Sequence, residues 1–337
     1  MLLANPAMNV SVIIRTYNRA YILGEAIASA IQQTVPPLEV IVVDDGSTDA
    51  TSEVVRAFQD DRIRLIKHEA NRGVGAAGNT GVSAARGELI AFLDSDDLWE
   101  PDKLEKQLAF LERHPEVDIL FSDVVIVDGE VRHPSMVPFM KAFPKLLART
   151  EPAADHIFSG KDVYLCLLEE VPIKTNSLLL KRRVFETAGW FDSQCRSGED
   201  WELLLRVSPF ATFGYIDQAL AIQRWSPDAT HRRYLEQDKL FLLGTALEHK
   251  GRLSGQTEAL KAVNRAILDH CSNLGCFYMN SGQRSRAIAK YVQGFRETGA
   301  VIMLLRAASV LLPLAWRSPL RSVFRKRRLA RPHDVTI

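Results

Sequence analysis

Four short apolar runs, Val10–Ile14, Val40–Asp44, Ile63–Lys67 and Leu89–Asp94, recur through the first hundred residues, separated by helical stretches at Ala20–Gln33, Asp49–Phe58 and Gly75–Ala85. The runs are rich in Val, Ile and Leu and are continuous rather than alternating, as expected of strands covered on both faces. Strand, helix, strand at this spacing predicts βαβ units and a mostly parallel sheet, an α/β fold. In such sheets ligands bind beyond the carboxyl ends of the strands. The residues that terminate the runs are therefore the first candidates for a site: Arg15-Thr16-Tyr17-Asn18, Asp44-Asp45-Gly46-Ser47 and Asp94-Ser95-Asp96-Asp97.

Some of these polar residues have a structural use. Asp49, just ahead of a helical stretch, is a good helix N-cap. Capping does not account for the consecutive acids at 44 and 45 or for three acids within residues 94–97, because crowded like charges cost energy unless a cation or a donor compensates. Asp94 and Asp96 are two apart at the end of an extended segment, so their side chains can share one side. Two carboxylates in that arrangement suit one divalent cation with oxygen ligands, Mg²⁺ or Mn²⁺, which keeps positions open for phosphate oxygens.

The chain has 337 residues, 47% hydrophobic and 25% charged, a globular composition that excludes disordered, collagenous and multi-span membrane classes. At roughly 150 residues per domain, that length predicts about two domains. The formal net charge of +1 is an average over two unlike parts. Residues 1–235 carry 25 Lys and Arg against 34 Asp and Glu, whereas residues 236–337 carry 17 against 7. The first residues lack a basic stretch followed by an apolar core, which points away from a secretory signal and toward a reducing, cytoplasmic compartment. Cys271 and Cys276 lie in a helical pattern without histidines at zinc spacing, so neither a metal nor a disulfide is expected of them.

Taken in order, the segments VSVIIRTYN, VIVVDDGSTD, NRGVGAAGNTG and GELIAFLDSDD, followed by PDKL, GWFD and GEDW, resemble the family 2 glycosyltransferases, inverting enzymes with the Rossmann-like, nucleotide-sugar-binding GT-A fold. The resemblance runs from about Val10 to His231. It implies that Tyr17 stacks on the donor's base and that Asp45 accepts a hydrogen bond from a uracil-type imide, with Thr16 and Asp44 nearby. It also implies that Asp96 binds the metal on the donor diphosphate, with Asp94 facing the ribose or the metal's water shell. Asp200, in the first turn of a helix opened by Gly198-Glu199-Asp200-Trp201, corresponds to the catalytic base that takes the acceptor's proton. The sequence departs from the family in three places. Arg15 stands where proline is frequent, where it either brings a cation near the donor phosphates or alters the turn. Gly78 replaces the arginine of the family's A-R-N segment, a loss for which Arg72 is the candidate substitute. Gln223-Arg224-Trp225 is a short form of a longer motif of processive members, and its Arg224 is expected to face the diphosphate, with His231 in the same closing loop.

Acceptor recognition is expected in the loop-rich residues 128–175 and around Asn176, Glu199 and Trp201, with Lys174-Thr175-Asn176-Ser177 facing the active site. From about Tyr234 onward the pattern is helical. Leu274, Gly275, Tyr278, Gly282, Ala287 and Tyr291 match one helical hairpin of the tetratricopeptide type, with no second copy 34 residues away, so an appendage rather than a solenoid is expected. Residues 300–316 are strongly apolar but hold Arg306 and Pro313, and residues 317–331 add seven Lys and Arg with no acid. Spanning a membrane takes about 20 apolar residues, so this segment reads instead as an interfacial helix with a basic neighbour for an anionic membrane surface, the alternative being a helix packed on the catalytic domain ahead of a solvated basic tail. No nucleic-acid motif accompanies the charge.

The expected organisation is a GT-A domain over 8–233, a helical appendage over 234–299 and an apolar helix with a basic tail over 300–337. The expected activity moves a sugar from a nucleoside diphosphate donor, by default UDP-linked, to a glycan or lipid-linked acceptor in cell-surface polysaccharide synthesis. Its cofactor would be Mn²⁺ or Mg²⁺. Two other readings use parts of the same sequence. A sugar nucleotidyltransferase would carry a Gly- and Lys-rich phosphate loop where Arg15-Thr16-Tyr17-Asn18 stands, and a non-catalytic scaffold would have no use for Asp96 and Asp200.

Overall fold

The first three βαβ crossovers set the architecture. In a computed structural model describing residues 9–150, 155–193, 195, 198–225, 235–253 and 255–311, strands β1 (Val10–Thr16), β2 (Glu39–Asp44), β3 (Ile63–Lys67) and β4 (Leu89–Asp94) alternate with helices α1 (Leu23–Ile31), α2 (Thr51–Arg56) and α3 (Val74–Ala84). They pair in parallel in the order β3-β2-β1-β4. Every residue of β1 and β2 is buried, as the continuous apolar runs predict. The expectation fails for β3, which is only half-buried because it is the edge strand of the sheet.

The sheet continues beyond β4 with shorter and mixed strands. Strand β5 (Leu98–Trp99) is followed by α4 (Lys103–Arg113), β6 (Ile119–Asp128), β7 (Val131–His133), α5 (Phe143–Leu147), β8 (Asp155–Ser159) and α6 (Gly160–Leu167). Then come β9 (Leu179–Lys181), α7 (Arg183–Ala188), α8 (Glu199–Val207) and β10 (Thr212–Trp225). Strand β9 runs antiparallel to both β4 and β6, while β6 and β10 are parallel. The result is the mostly parallel α/β sheet expected. Its strand order reverses between β2 and β4 around β1, and a crevice at such a switch point is where open α/β sheets bind ligands.

Helix α2 begins at Thr51, two residues beyond Asp49. Asp49 nevertheless caps the turn, since its Oδ1 accepts the Thr51 N–H at 3.1 Å and its Oδ2 the Ala20 N–H at 3.0 Å.

The chain divides into two compact units, Met1–Ala229 and Thr230–Ile337. In the second, helices α9 (Leu235–Arg252), α10 (Thr257–Asn280), α11 (Arg284–Thr298) and α12 (Val301–Leu311) follow one another. The expected hairpin is α10 with α11. A Cβ at Gly275 would lie 2.3 Å from the Tyr291 ring, so glycine lets the two helices close on each other. Met303, Ala307 and Val310 form the buried face of α12, with Met303 packed against Gly294 of α11. The opposite face is apolar yet open, with Val301 62%, Leu305 56% and Leu311 76% exposed. The basic tail and Pro313 lie outside the described residues, as does His231. Among the described residues, no helix is long and apolar enough to cross a membrane.

Candidate active site

The carboxyl ends of β1, β2 and β4 meet because of their register: Thr16 pairs with Asp44, and Arg15 with Asp94. The turn after β1 is held by Asn18, whose φ of 51° is unusual for a residue with a side chain. Asn18 donates its N–H to Ser47 Oγ at 2.8 Å and accepts the Thr48 N–H at 2.9 Å. Gly46 has φ of +81°, and a Cβ there would sit 2.6 Å from the Ala70 backbone, so this turn requires glycine.

The two acids of the β2 terminus have different environments. Asp44 is fully buried and ties its own loop, accepting the Ser47 N–H at 2.8 Å and the Ser52 hydroxyl at 3.0 Å. Asp45 anchors the segment that leads into α3. Its Oδ1 meets His68 Nδ1 at 2.7 Å and the Arg72 N–H at 2.9 Å, while Oδ2 accepts the Gly73 N–H at 2.8 Å. A carboxylate oxygen has two lone-pair sites, so Oδ2 retains acceptor capacity for an imide N–H. Tyr17 and Thr16 adjoin this acid from β1, Tyr17 half-buried and Thr16 with a buried hydroxyl that has no partner. His68, whose other ring nitrogen lies 2.9 Å from Thr80 Oγ1, is a positioning group that the sequence did not single out.

At the end of β4, Asp94 and Asp96 each meet an arginine. Arg15 Nη2 lies 2.7 Å from Asp94 Oδ1 and Arg19 Nη1 lies 3.1 Å from Asp96 Oδ2. Burial raises the Asp96 carboxyl above its ordinary range, and the neighbouring charge of Asp94 adds to the effect. Asp97 is pushed up further by full burial and by both neighbours, although it accepts the Arg224 N–H at 2.9 Å and the Asn176 side-chain amide at 2.6 Å. Arg224 also donates Nε to the Asp96 carbonyl at 2.5 Å and pairs with Glu25, which ties it to the segment after β4. Among the described residues, no group of three or more His, Cys, Asp or Glu forms a ready metal cage. The donor set is the two carboxylates, each with one oxygen not taken by its arginine. This suits a cation that completes its shell with water and phosphate oxygens.

The residues expected on the acceptor side lie in the segment before β9 and the first turn of α8. Lys103 of the PDKL segment lies 4.1 Å from the Trp99 ring centroid and bonds Gln107, whose amide donates to the Ser177 carbonyl at 2.9 Å. Trp99 Nε1 donates to the Asn176 carbonyl at 2.7 Å. This buried frame holds residues 174–177 against the site. Thr175 Oγ1 donates to Asp200 Oδ2 at 2.5 Å, and Asp200 Oδ1 accepts the Trp201 N–H at 2.7 Å. Lys174 feels the charges of Asp200 and Asp97, yet burial dominates and lowers its pKa. The buried polar atoms without a partner include Arg15 Nε, Thr16 Oγ1, Asn176 Oδ1 and Arg224 Nη2. Buried polar groups are normally satisfied, so these four atoms are available to hydrogen-bond a polar ligand.

Three expectations are corrected. Trp201 is buried, with its indole N–H donated to the Leu167 carbonyl at 2.8 Å. It packs α8 and does not present itself to an acceptor. Glu199 is equally buried and bonds Arg15 Nη1 at 2.5 Å. Arg72 uses its backbone N–H on Asp45 while its side chain is exposed, so it does not replace an arginine at position 78. That position is closed to a large side chain, because a Cβ on Gly78 would already lie 3.0 Å from the Phe191 ring of the GWFD segment.

Comparison with known proteins agrees with this architecture. The model of Glycosyl transferase family 2 matches residues 11–165. EpsE of Bacillus subtilis, a candidate glycosyltransferase, is 30% identical over 236 residues, covering 68% of this chain and 77% of EpsE. The Escherichia coli protein WfgD, a UDP-Glc:α-D-GlcNAc-diphosphoundecaprenol β-1,3-glucosyltransferase, is 36% identical over 120 residues, which are 36% of this chain and 47% of WfgD. The crystal structure of S. aureus TarS 1–349 in complex with UDP-GlcNAc superposes with a TM-score of 0.59 at 18% identity, covering 87% of this chain and 92% of that one. The chain spans about a third of the length of the first curated relatives it matches. The sheet order, the matched family model and the extent of the EpsE similarity together place this chain in the family 2 glycosyltransferases.

Proposed function

We propose that the chain is an inverting glycosyltransferase that moves a sugar from a nucleoside diphosphate donor, with UDP the default, to a hydroxyl of a glycan or lipid-linked acceptor in cell-surface polysaccharide synthesis. The observation that carries this reading is the junction of two carboxylate sets: Arg15 joins Asp94, at the donor end, to Glu199, whose neighbour Asp200 heads α8. The similarity to WfgD, a glucosyltransferase of UDP-Glc and a diphosphoundecaprenol-linked sugar, supports the donor and acceptor classes.

In this reading Tyr17 stacks on the base, Asp45 Oδ2 accepts its imide N–H, and Arg224 faces the diphosphate. Asp94 and Asp96 hold a divalent cation, Mn²⁺ or Mg²⁺, which when bound offsets charge developing on the leaving diphosphate. Asp200 accepts the acceptor's proton as the hydroxyl oxygen attacks the anomeric carbon and the nucleoside diphosphate departs on the opposite side. Thr175 orients the Asp200 carboxylate, and Asn176 Oδ1 offers an acceptor atom beside it. The test is a thermal-shift panel of UDP-, GDP- and dTDP-sugars with and without MnCl₂. A donor that binds only the native state raises the unfolding temperature by mass action, so stabilisation should require both the right nucleotide and the metal. A flat panel across all three nucleotides would remove the reading.

We further propose that the protein works at the cytoplasmic face of a membrane as a peripheral protein. The open apolar face of α12 and the seven basic residues in 317–331 support it, at about 1 kcal/mol of attraction per basic residue near an anionic surface. Deleting residues 300–337 should abolish co-sedimentation with vesicles containing phosphatidylglycerol. Failure of the full chain to sediment with them would end this proposal.

A further inference from the structure

Arg15 is a buried cation whose two partners come from opposite sides of the site. Its Nη2 lies 2.7 Å from Asp94 Oδ1, and its Nη1 lies 2.5 Å from Glu199 Oε1, 184 residues away in sequence. The guanidinium carbon lies 5.6 Å from the Phe92 ring centroid. The stem passes Gly78, where a Cβ would make ordinary van der Waals contact with Arg15 Cδ at 3.7 Å. Burial works against the charge, but Asp94 and Glu199 overcome it and keep the guanidinium protonated. A planar fork bonded to two carboxylates fixes the orientation of both, which a lysine ammonium on a flexible stem would do less well.

We propose that Arg15 is a positioning residue that couples the donor end to the base-bearing helix. By this account one guanidinium sets both the orientation of Asp94 toward the donor and the placement of the first turn of α8, where Glu199 and Asp200 are consecutive. A nucleoside diphosphate that engages Asp94 is therefore felt at α8, and the acceptor side is organised when the donor is in place. This role rests on the donor reading above. It differs from both roles that the sequence suggested for Arg15, a phosphate cation and a turn residue.

The experiment is hydrogen–deuterium exchange on the full chain with UDP and MnCl₂, or with GDP or dTDP where the thermal panel selects one of them. In the wild type, the nucleotide should slow exchange in peptides covering 94–97 and, by about fivefold, in those covering the start of α8. Arg15→Met alone leaves Glu199 as an unpaired buried carboxylate and threatens the fold, so the informative variant is the double substitution Arg15→Met with Glu199→Met. It should fold and still show protection at 94–97, with the α8 protection gone. Equal α8 protection in wild type and double variant would overturn the proposal, as would bound nucleotide without any α8 protection in the wild type. If no nucleotide binds the wild type at all, the donor reading itself fails, a result distinct from either, and the coupling falls with it.

Discussion

Asp200→Asn is expected to lower sugar transfer by about 10²- to 10⁴-fold, the usual contribution of a positioned general base, while the affinity for nucleoside diphosphate and Mn²⁺ stays within about twofold. The selectivity follows from the hydrogen bonds. Asp200 Oδ1 accepts the Trp201 N–H and Oδ2 accepts the Thr175 hydroxyl. An asparagine keeps the first bond through its own carbonyl oxygen. It can also reverse the second, because the threonine hydroxyl accepts as readily as it donates. The local fold therefore survives, and the group lost is the one able to take a proton. Calorimetric titration with nucleotide and MnCl₂ measures the binding side, and initial rates with the donor picked out by the thermal panel measure the other. Turnover comparable to wild type in Asp200→Asn would remove Asp200 from the role of base, and Glu199 and Glu202, the other acids of that first turn, would be the next residues to test.

What the sequence disclosed, and what it withheld, divides by the range of the interactions. The parallel half of the sheet was legible because β1, β2 and β4 are buried on both faces, and burial on both faces writes itself into a continuous apolar run. The acids at the strand ends were legible for a related reason: nothing in strand or helix chemistry asks for three carboxylates within residues 94–97. The role of Arg15 was not legible, since its partners are 79 and 184 residues distant and no local pattern encodes such a pairing. Trp201 shows the opposite case. It lies with Leu204, Leu205 and Val207 on the apolar face of α8, so helical periodicity already marked it as a packing residue, and its place next to Asp200 drew it wrongly to the acceptor side. Lys174 and Thr175 were flagged only as part of a segment. Their contact with the site depends on the buried Lys103–Gln107–Ser177 frame, which joins α4 to the segment before β9 and leaves no periodic trace.

Asp96→Ala is expected to weaken Mn²⁺-dependent nucleotide binding by about 10- to 100-fold, the loss of roughly 1.4–2.8 kcal/mol, and to leave metal-free binding almost unchanged. The two parts separate because they use different strand ends. Base recognition is assigned to Tyr17 and Asp45 beyond β1 and β2, where Asp45 is held by His68 and by the N–H groups of Arg72 and Gly73. None of these hydrogen bonds involves Asp96. The metal-dependent part is assigned to Asp94 and Asp96, and removing one of two carboxylates halves the charge offered to a cation that needs oxygen ligands. The substitution also removes the 3.1 Å contact between Arg19 and Asp96 while Arg19 Nη1 keeps the Tyr21 hydroxyl at 3.1 Å, and the guanidinium charge, no longer offset by Asp96, can attract the diphosphate. Asp96→Asn serves as the control for this, because it removes the charge while keeping the side chain's size and an oxygen that Arg19 can still bond. Titrations of nucleotide into both variants, each with MnCl₂ and with EDTA, separate the effects. If Arg19 compensates, the EDTA affinity of Asp96→Ala rises above wild type while its Mn²⁺ response stays small. If the Mn²⁺ response of both variants equals that of wild type, the cation is held elsewhere and the assignment of Asp96 is wrong.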